Sequence, residues 1–279
     1  MQRKSFIVAG IATLFQSNVL FNSSYTFFKS IFKRKTMESN ANSTNVILHK
    51  AATRGHANHG WLDSYHTFSF ANYYDESRIH FGALRVLNDD KIAGGTGFSK
   101  HPHSNMEIIS IPIYGALEHK DSMGNTTVIQ TNDIQIMSAG TGVTHSEYNH
   151  LKNDISNFLQ IWVFPSEKDI VPNYDQMTLN PEDRYGKLVT IVSPKGEPGV
   201  TINQNAWFSR GTLVKGSITS YDVHSPENGV YAFIINGNVT INGQELDTRD
   251  GAGFSDTNKL QINATSEADV LLIEVPMLQ

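Results

Sequence analysis

The sequence predicts an all-β protein made of two similar barrels in tandem. From Phe81 onward, short runs rich in Val, Ile and aromatic residues are separated by Gly, Asn and Asp, the pattern of strands joined by tight turns. Helix signals are weak along the whole chain. A segment also recurs. Thr131-Asn-Asp, three residues, then Met-Ser, matches Thr248-Arg-Asp, three residues, then Phe-Ser, and Gly115 and Gly237 each begin a strand that leads to a turn. Such self-similarity is expected of two copies of one folding unit.

Composition narrows the function. The chain has 279 residues, 39% hydrophobic and 18% charged, with a net charge of −5. A general nucleic-acid binder would carry a basic surplus, so no direct nucleic-acid partner is expected. There is no cysteine, which excludes disulfides, zinc–thiolate sites and thiol catalysis.

Residues 1–44 form an extension and linker outside the barrels. Arg3, Lys4, Lys29, Lys33, Arg34 and Lys35 precede the first acidic residue, Glu38, and the apolar run Phe6 to Phe15 is too short to span a bilayer. A charged start and a short apolar run suggest a targeting peptide, but no small-residue cleavage site follows. A tail, or an extension upstream of a start at Met37, is the preferred reading, with a cytoplasmic location and no membrane span.

The first barrel is expected over residues 45–165. Asn45 to His49 is its first strand. The aromatic and histidine-rich stretch from Arg54 to Phe70 packs over the barrel mouth, with His56 and His59 structural or supporting the site from behind. Ala116 to Lys120 and Thr126 to Gln130 make a hairpin around Asp121 to Asn125, and Phe158 to Phe164 is a strongly apolar strand. The proline-bearing stretch from Pro165 to Asp183 connects to the second barrel, residues 166–279, where Asn242-Gly243 is a strong hairpin signal.

Metal-ligand side chains cluster in the first barrel. His101 and His103 are two apart, so on a strand they point to one face, and Glu107 keeps that parity if the strand continues. His145 and Glu147 repeat the spacing. Turn-rich sequence between the pairs brings them together, giving three imidazoles and a carboxylate. That set, without thiolate, suits Fe(II), Mn, Co, Ni, Cu(II) or Zn. With Glu147 as a ligand able to leave, it could also accept a substrate proton. Glu107 is a fifth candidate, either binding the ion or orienting a ligand histidine. His119 and His150 read as solvated strand ends, His66 and His80 as core or surface residues, and Trp61, Trp162 and Phe164 as core. In the second copy, the steps that place His103 and His145 land on Ser225 and Ile262, so that barrel carries no metal site.

Gly95, His101, His103 and Glu107 match the first motif of the cupin superfamily, with Gly115 one residue late. Gly142, His145 and Asn149 match the second, with Gly140 in place of a proline. Within cupins, the stretches His56 to Phe70, Asp121 to Asn125 and Gln135 to Asn149 resemble the pirin family, most of all its bacterial quercetinase-like members. The resemblance runs from about Asn45 to the C-terminus. It implies a bicupin whose N-terminal barrel alone binds metal, through His101, His103, His145 and Glu147, with Fe(II) the expected ion and Glu147 the catalytic group. It further implies cleavage of a flavonol-like substrate by dioxygen or, alternatively, a metal- or redox-responsive regulator with a protein partner.

Overall fold

The computed structural model describes residues 44–278. The extension, with its basic residues and short apolar run, lies outside them except for Thr44. Among the described residues no helix is long and apolar enough to cross a membrane. Two short 3-10 turns, Ala51–Thr53 and Pro181–Arg184, are the only helical elements there. The remainder is strands and loops, as the recurring β runs predict.

Two pairs of sheets form two barrels. The first barrel has a seven-stranded sheet in the order Asn173–Thr178, Asp133–Ser138, Glu107–Tyr114, Ser156–Val163, Leu84–Ile92, Leu62–His66, Gly55–Asn58. Facing it is a four-stranded sheet in the order Gly97–His103, Val143–Asn149, Ala116–Asp121, Thr126–Gln130. The second barrel repeats both orders. Its large sheet runs Asn45–His49, Gly251–Ser255, Asn228–Asn236, Ala268–Pro276, Trp207–Leu213, Val189–Ser193, Val200–Thr201. Its small sheet runs Ile218–Asp222, Lys259–Ala264, Val239–Ile241, Gln244–Leu246.

The repeat seen in the sequence is a repeat of turn chemistry. Asn132 and Arg249 both adopt positive φ, 76° and 68°. Thr131 Oγ1 donates to the Gly115 carbonyl at 3.1 Å, and Thr248 Oγ1 to the Gly237 carbonyl at 3.2 Å. Asp133 and Asp250 each accept a backbone N–H three residues back, from Gln130 and Asp247. The Asn242-Gly243 turn closes the hairpin that pairs Ile241 with Gln244.

The barrels exchange an edge strand. Asn45–His49, expected in the first barrel, pairs with Gly251–Ser255 of the second. Asn173–Thr178, expected to be plain connection, pairs with Asp133–Ser138 of the first. Each guest strand is fastened at the repeated aspartate: Thr178 Oγ1 donates to Asp133 at 2.6 Å, and Lys50 Nζ to Asp250 at 2.6 Å. Each exchange gives partners to backbone groups on a sheet edge that would otherwise stay open.

The largest apolar cluster lies between the two large sheets and joins Ile109, Ile111 and Leu159 of the first to Phe208, Tyr231 and Ile273 of the second. A second cluster fills the interior of the second barrel, with Val230, Ala232, Leu272, Leu260 and Ile262 among its members. The first barrel's interior holds only two small apolar clusters, around Phe158 and Ile129 and around Ile108 and Met137. The space between them is polar.

Candidate metal centre

The two ligand pairs lie on neighbouring antiparallel strands. His145 sits directly opposite His101, and a register irregularity between His145 and Glu147 sets the latter near Phe98. Glycines allow this. Gly140 has φ of 44°, and a Cβ there would collide with the Ile170 carbonyl, so only glycine turns the chain into the His145 strand.

The rings of His101, His103 and His145 stand 4.5 to 4.9 Å apart by centroid. One ligand atom from each lies within 4.8 Å of the others. The His101 Nδ1–H donates to the Ser99 carbonyl at 2.7 Å, which leaves Nε2 as the lone-pair nitrogen. Neither ring nitrogen of His145 has a hydrogen-bond partner, though both are buried. Burial, with the neighbouring imidazoles second, lowers His103 to about 4 and His145 to about 3. Both rings are therefore neutral near pH 7 and offer lone pairs. Buried, unpartnered, neutral imidazole nitrogens converging at ligand distance fit a divalent transition ion.

Glu147 is buried beside them. Its Oε1 accepts from Ser110 Oγ at 2.9 Å and its Oε2 from Gln160 Nε2 at 2.8 Å. Its carboxylate groups within 4.8 Å with His145 and His119 rather than with His101 and His103. The four expected ligands thus form two overlapping sets that share His145.

Several expectations change. Glu107 does not reach the histidines: Asn105, at φ of 50°, turns the chain after His103 and breaks the parity. Glu107 is fully buried on the opposite face, alongside Ile109, and accepts from Ser138 Oγ at 2.8 Å and from the Asn203 backbone N–H at 3.1 Å. It ties the first barrel to the second, and burial raises its pKa. His119 is no solvated strand end; it is fully buried. His150 is exposed, with Glu118 at 3.5 Å, as predicted.

Trp61 and Trp162, read as core, instead line a cavity of roughly 780 Å3 that opens beside the histidines. His56, His59 and His66 also border it. Trp162 packs edge-on against His103 at 5.0 Å. Phe70, Tyr73 and Phe98 complete the aromatic walls, and Asn88, Asp90 and Gln160 add polar groups. Asp90, buried and bonded to Ser64 Oγ, is raised to about 7 by burial and by its neighbours Asp89 and Glu147. Gln160 was missed in the sequence. The available signal was one polar residue in the apolar run Phe158 to Val163, at the parity of the inward Trp162.

Among the described residues the second barrel gathers no such donor set, and strand register shows which residues stand in its place. Tyr221 pairs with Leu260 as His101 pairs with His145. Ile241 pairs with Ile262 as His119 pairs with Glu147. Ala232 pairs with Leu272 as Ser110 pairs with Gln160. Ile262 therefore takes the place of Glu147, and Leu260 that of His145, a correction of two residues to the position counted from the repeat. His224 lies past the end of its strand, stacked on Trp207, with its Nδ1 2.7 Å from Glu274.

Two cupin barrels, one gathering metal-ligating side chains at its centre and one with an apolar cluster there, define a bicupin with one candidate metal centre. The Pirin family profile matches residues 48–163, and the profile of the quercetinase C-terminal cupin domain matches residues 190–275. The chain belongs to the pirin family. It is 44% identical over 232 residues to a quercetin 2,3-dioxygenase of Escherichia coli K12, covering 83% of this chain and 99% of that one. It is 40% identical over 222 residues to a pirin-like protein of Caulobacter vibrioides, covering 79% of this chain and 95% of that one. The bacterial pirin YhhW of Escherichia coli, solved in complex with nickel(II), superimposes with a TM-score of 0.80 at 41% identity, covering 84% of this chain and all of that one.

Proposed function

We propose that this chain is a metal-dependent dioxygenase that opens a flavonol-like substrate with dioxygen, in the manner of a quercetin 2,3-dioxygenase. The observation that carries the reading is an aromatic-walled cavity of roughly 780 Å3, large enough for a three-ring substrate, that is lined by His101, His103 and Glu147, with the His145 ring converging on the two histidines. Relatives bearing that enzyme's name support it. His101, His103, His145 and Glu147 are the residues we assign to hold the ion, with Fe(II) as the resident metal. Mn, Co, Ni, Cu and Zn share the same donor preferences, and nickel occupies a structural relative. Bound there, the ion would supply Lewis acidity and, for a redox metal, electrons for reaction with dioxygen.

The protein's own part is positioning and proton handling. Trp162, Phe98 and Phe70 offer flat apolar faces that orient a planar ring system and keep bulk water from it. Glu147, fixed by Ser110 and Gln160, is the acceptor for the proton of the substrate's 3-hydroxyl. Asp90, raised to about 7, can hold a proton at neutral pH in the same cavity. The test is direct. Metal-free protein is loaded with Fe(II) without oxygen, its iron is quantified, and quercetin and oxygen are then added. Flavonol loss with release of carbon monoxide is the expected result. Iron-loaded protein that leaves quercetin intact would reject the assignment.

A further inference from the structure

A second cavity, of roughly 430 Å3, lies at a junction between the barrels and shares no lining residue with the cavity at the metal centre. The repeated turns, Thr131-Asn132 of the first barrel and Thr248-Arg249 of the second, both border it. They differ in reach. Arg249 extends to the first barrel, where its Nε lies 3.3 Å from Asp89 Oδ2 and its Nη2 donates to Asn157 Oδ1 at 3.1 Å. Asn132, at the matching place in the first barrel, is too short to fill the opposite junction in the same way. The residues there also differ. Arg210 pairs with Leu271 as Asp89 pairs with Leu159, and Asp269 pairs with Thr212 as Asn157 pairs with Lys91. An arginine therefore stands where the first barrel has Asp89, and the space beside it is left open.

The floor of this cavity is basic and buried. Arg210 Nε and Nη2 donate to the two oxygens of Asp269 at 3.0 and 2.7 Å. The 3-10 turn Pro181–Arg184 delivers a second guanidinium: Arg184 Nη1 donates to Thr212 Oγ1 and lies 3.4 Å from Asp269 Oδ2. Two guanidiniums thus share one carboxylate. Arg184 is 9% exposed, and its Nε is buried without a partner among the described residues, as is Arg249 Nη1. Burial first, and the Arg210 charge second, hold Arg184 below the ordinary arginine value, yet a guanidinium keeps its proton in a protein. A buried cation short of counter-charge is costly, and an anion in the cavity would relieve it. Exposed Asn236 and Glu267 stand at the rim.

We infer that this cavity is a binding site for a small oxyanion, a phosphate or carboxylate group carried on a compact organic body, with Arg184 and Arg210 as its counter-charges. Guanidinium forks match the oxygens of both groups. The volume lies in the range of small-molecule sites and exceeds what a bare oxyanion needs. The inference does not depend on the metal assignment.

The test is calorimetric titration of the full chain, metal-free and metal-loaded, with inorganic phosphate and with malonate, at constant ionic strength set by chloride. One anion per chain should bind in both metal states with a Kd of about 1 mM or below. Binding of one probe and not the other supports the inference and identifies the group recognised. Glu267→Gln, which removes a rim carboxylate, should tighten binding about 3- to 10-fold, and Asn236→Asp, which adds one, should weaken it by a similar factor. Arg184→Gln should weaken it about 10- to 100-fold. Both rim side chains are exposed, so these two variants read the site even if Arg184→Gln does not fold. The inference is overturned if neither anion binds beyond chloride, or if both rim variants bind like wild type. It is equally overturned if phosphate and malonate bind only the metal-loaded chain, which would place them at the metal centre.

Discussion

Replacing Glu147 by glutamine separates proton transfer from packing better than any other single change at the centre. The carboxylate is buried between two donors, Ser110 Oγ at 2.9 Å and Gln160 Nε2 at 2.8 Å. A glutamine of the same shape can turn its oxygen toward the Gln160 amide and its NH2 toward Ser110, whose hydroxyl rotates to accept. Both hydrogen bonds survive as neutral ones, so stability should change by no more than about 2 kcal/mol. The amide cannot take the substrate proton, and general-base catalysis is worth about 10²- to 10⁴-fold, or roughly 3–5 kcal/mol of barrier. We therefore expect kcat for quercetin loss to fall by that factor at equal iron content, with the melting temperature nearly unchanged. Steady-state oxygen uptake and flavonol absorbance, normalised to iron per chain, give the answer. An iron-replete Glu147→Gln enzyme with kcat within about threefold of wild type would refute the role assigned to this carboxylate.

Three further outcomes are expected. Trp162→Ala removes the wall that packs on His103 and should raise KM for quercetin about tenfold, with a smaller effect on kcat; unchanged KM in steady-state kinetics would place the substrate elsewhere. His49 and His66 are both lowered to about 4 by burial first, so the folded state binds fewer protons than the unfolded one between that value and 6.5. Stability of the metal-free protein should then fall as pH drops from about 6.5 toward 4, by at most about 1.4 kcal/mol per pH unit for each histidine. Asp90, raised to about 7, opposes this, because its folded form holds a proton that the unfolded chain releases above 3.8. Urea titrations at pH 7 and pH 5 measure the balance, and His66→Phe should flatten the slope. Adding Co(II) at about 100-fold above its Kd should stabilise the fold by about 2.7 kcal/mol, a melting shift of about 5–10 °C; chelator should reverse it, and a melting curve indifferent to both would count against an ion at this centre.

The sequence disclosed the parts of this molecule that depend on local chemistry. The Asn242-Gly243 turn, the Ala116 hairpin and the paired Thr131 and Thr248 turns all follow from residues adjacent in the chain. Strand parity placed His101, His103 and His145 on facing positions. Parity failed at Glu107 because one left-handed residue, Asn105, intervenes; asparagine is the side chain most tolerant of positive φ, so the break had a signal in the Ser104-Asn105 pair. The exchanged strand Asn173–Thr178 was invisible because it is half-exposed and lacks alternating apolar residues; only its pairing with Asp133–Ser138 makes it a strand. His119 was misread for a related reason. A lone histidine before a polar turn looks solvated until the partner strand places Glu147 across from it.

The two barrels explain why the centre is in one and not the other. They share strand order and register, so each polar position in the first has a counterpart in the second. Ser110 and Gln160, which hold Glu147, become Ala232 and Leu272; His119 and Glu147 become Ile241 and Ile262. These exchanges come as pairs facing each other across strands, because a buried polar group left without its partner costs about 1–3 kcal/mol. Where the first barrel has Trp162 beside an open cavity, the same register in the second has Glu274, opposite Val230 as Trp162 is opposite Ile108. Glu274 is fully buried and accepts from Tyr221 at 2.7 Å and Asn228 at 2.8 Å, with His224 Nδ1 at 2.7 Å, a polar plug complete without any ligand. The first barrel is not complete in that sense. His145 has both nitrogens unpartnered and His119 one, an imbalance that apolar packing cannot relieve and a cation can. The barrel that keeps unpaired lone pairs in its interior is the one whose chemistry fits an ion.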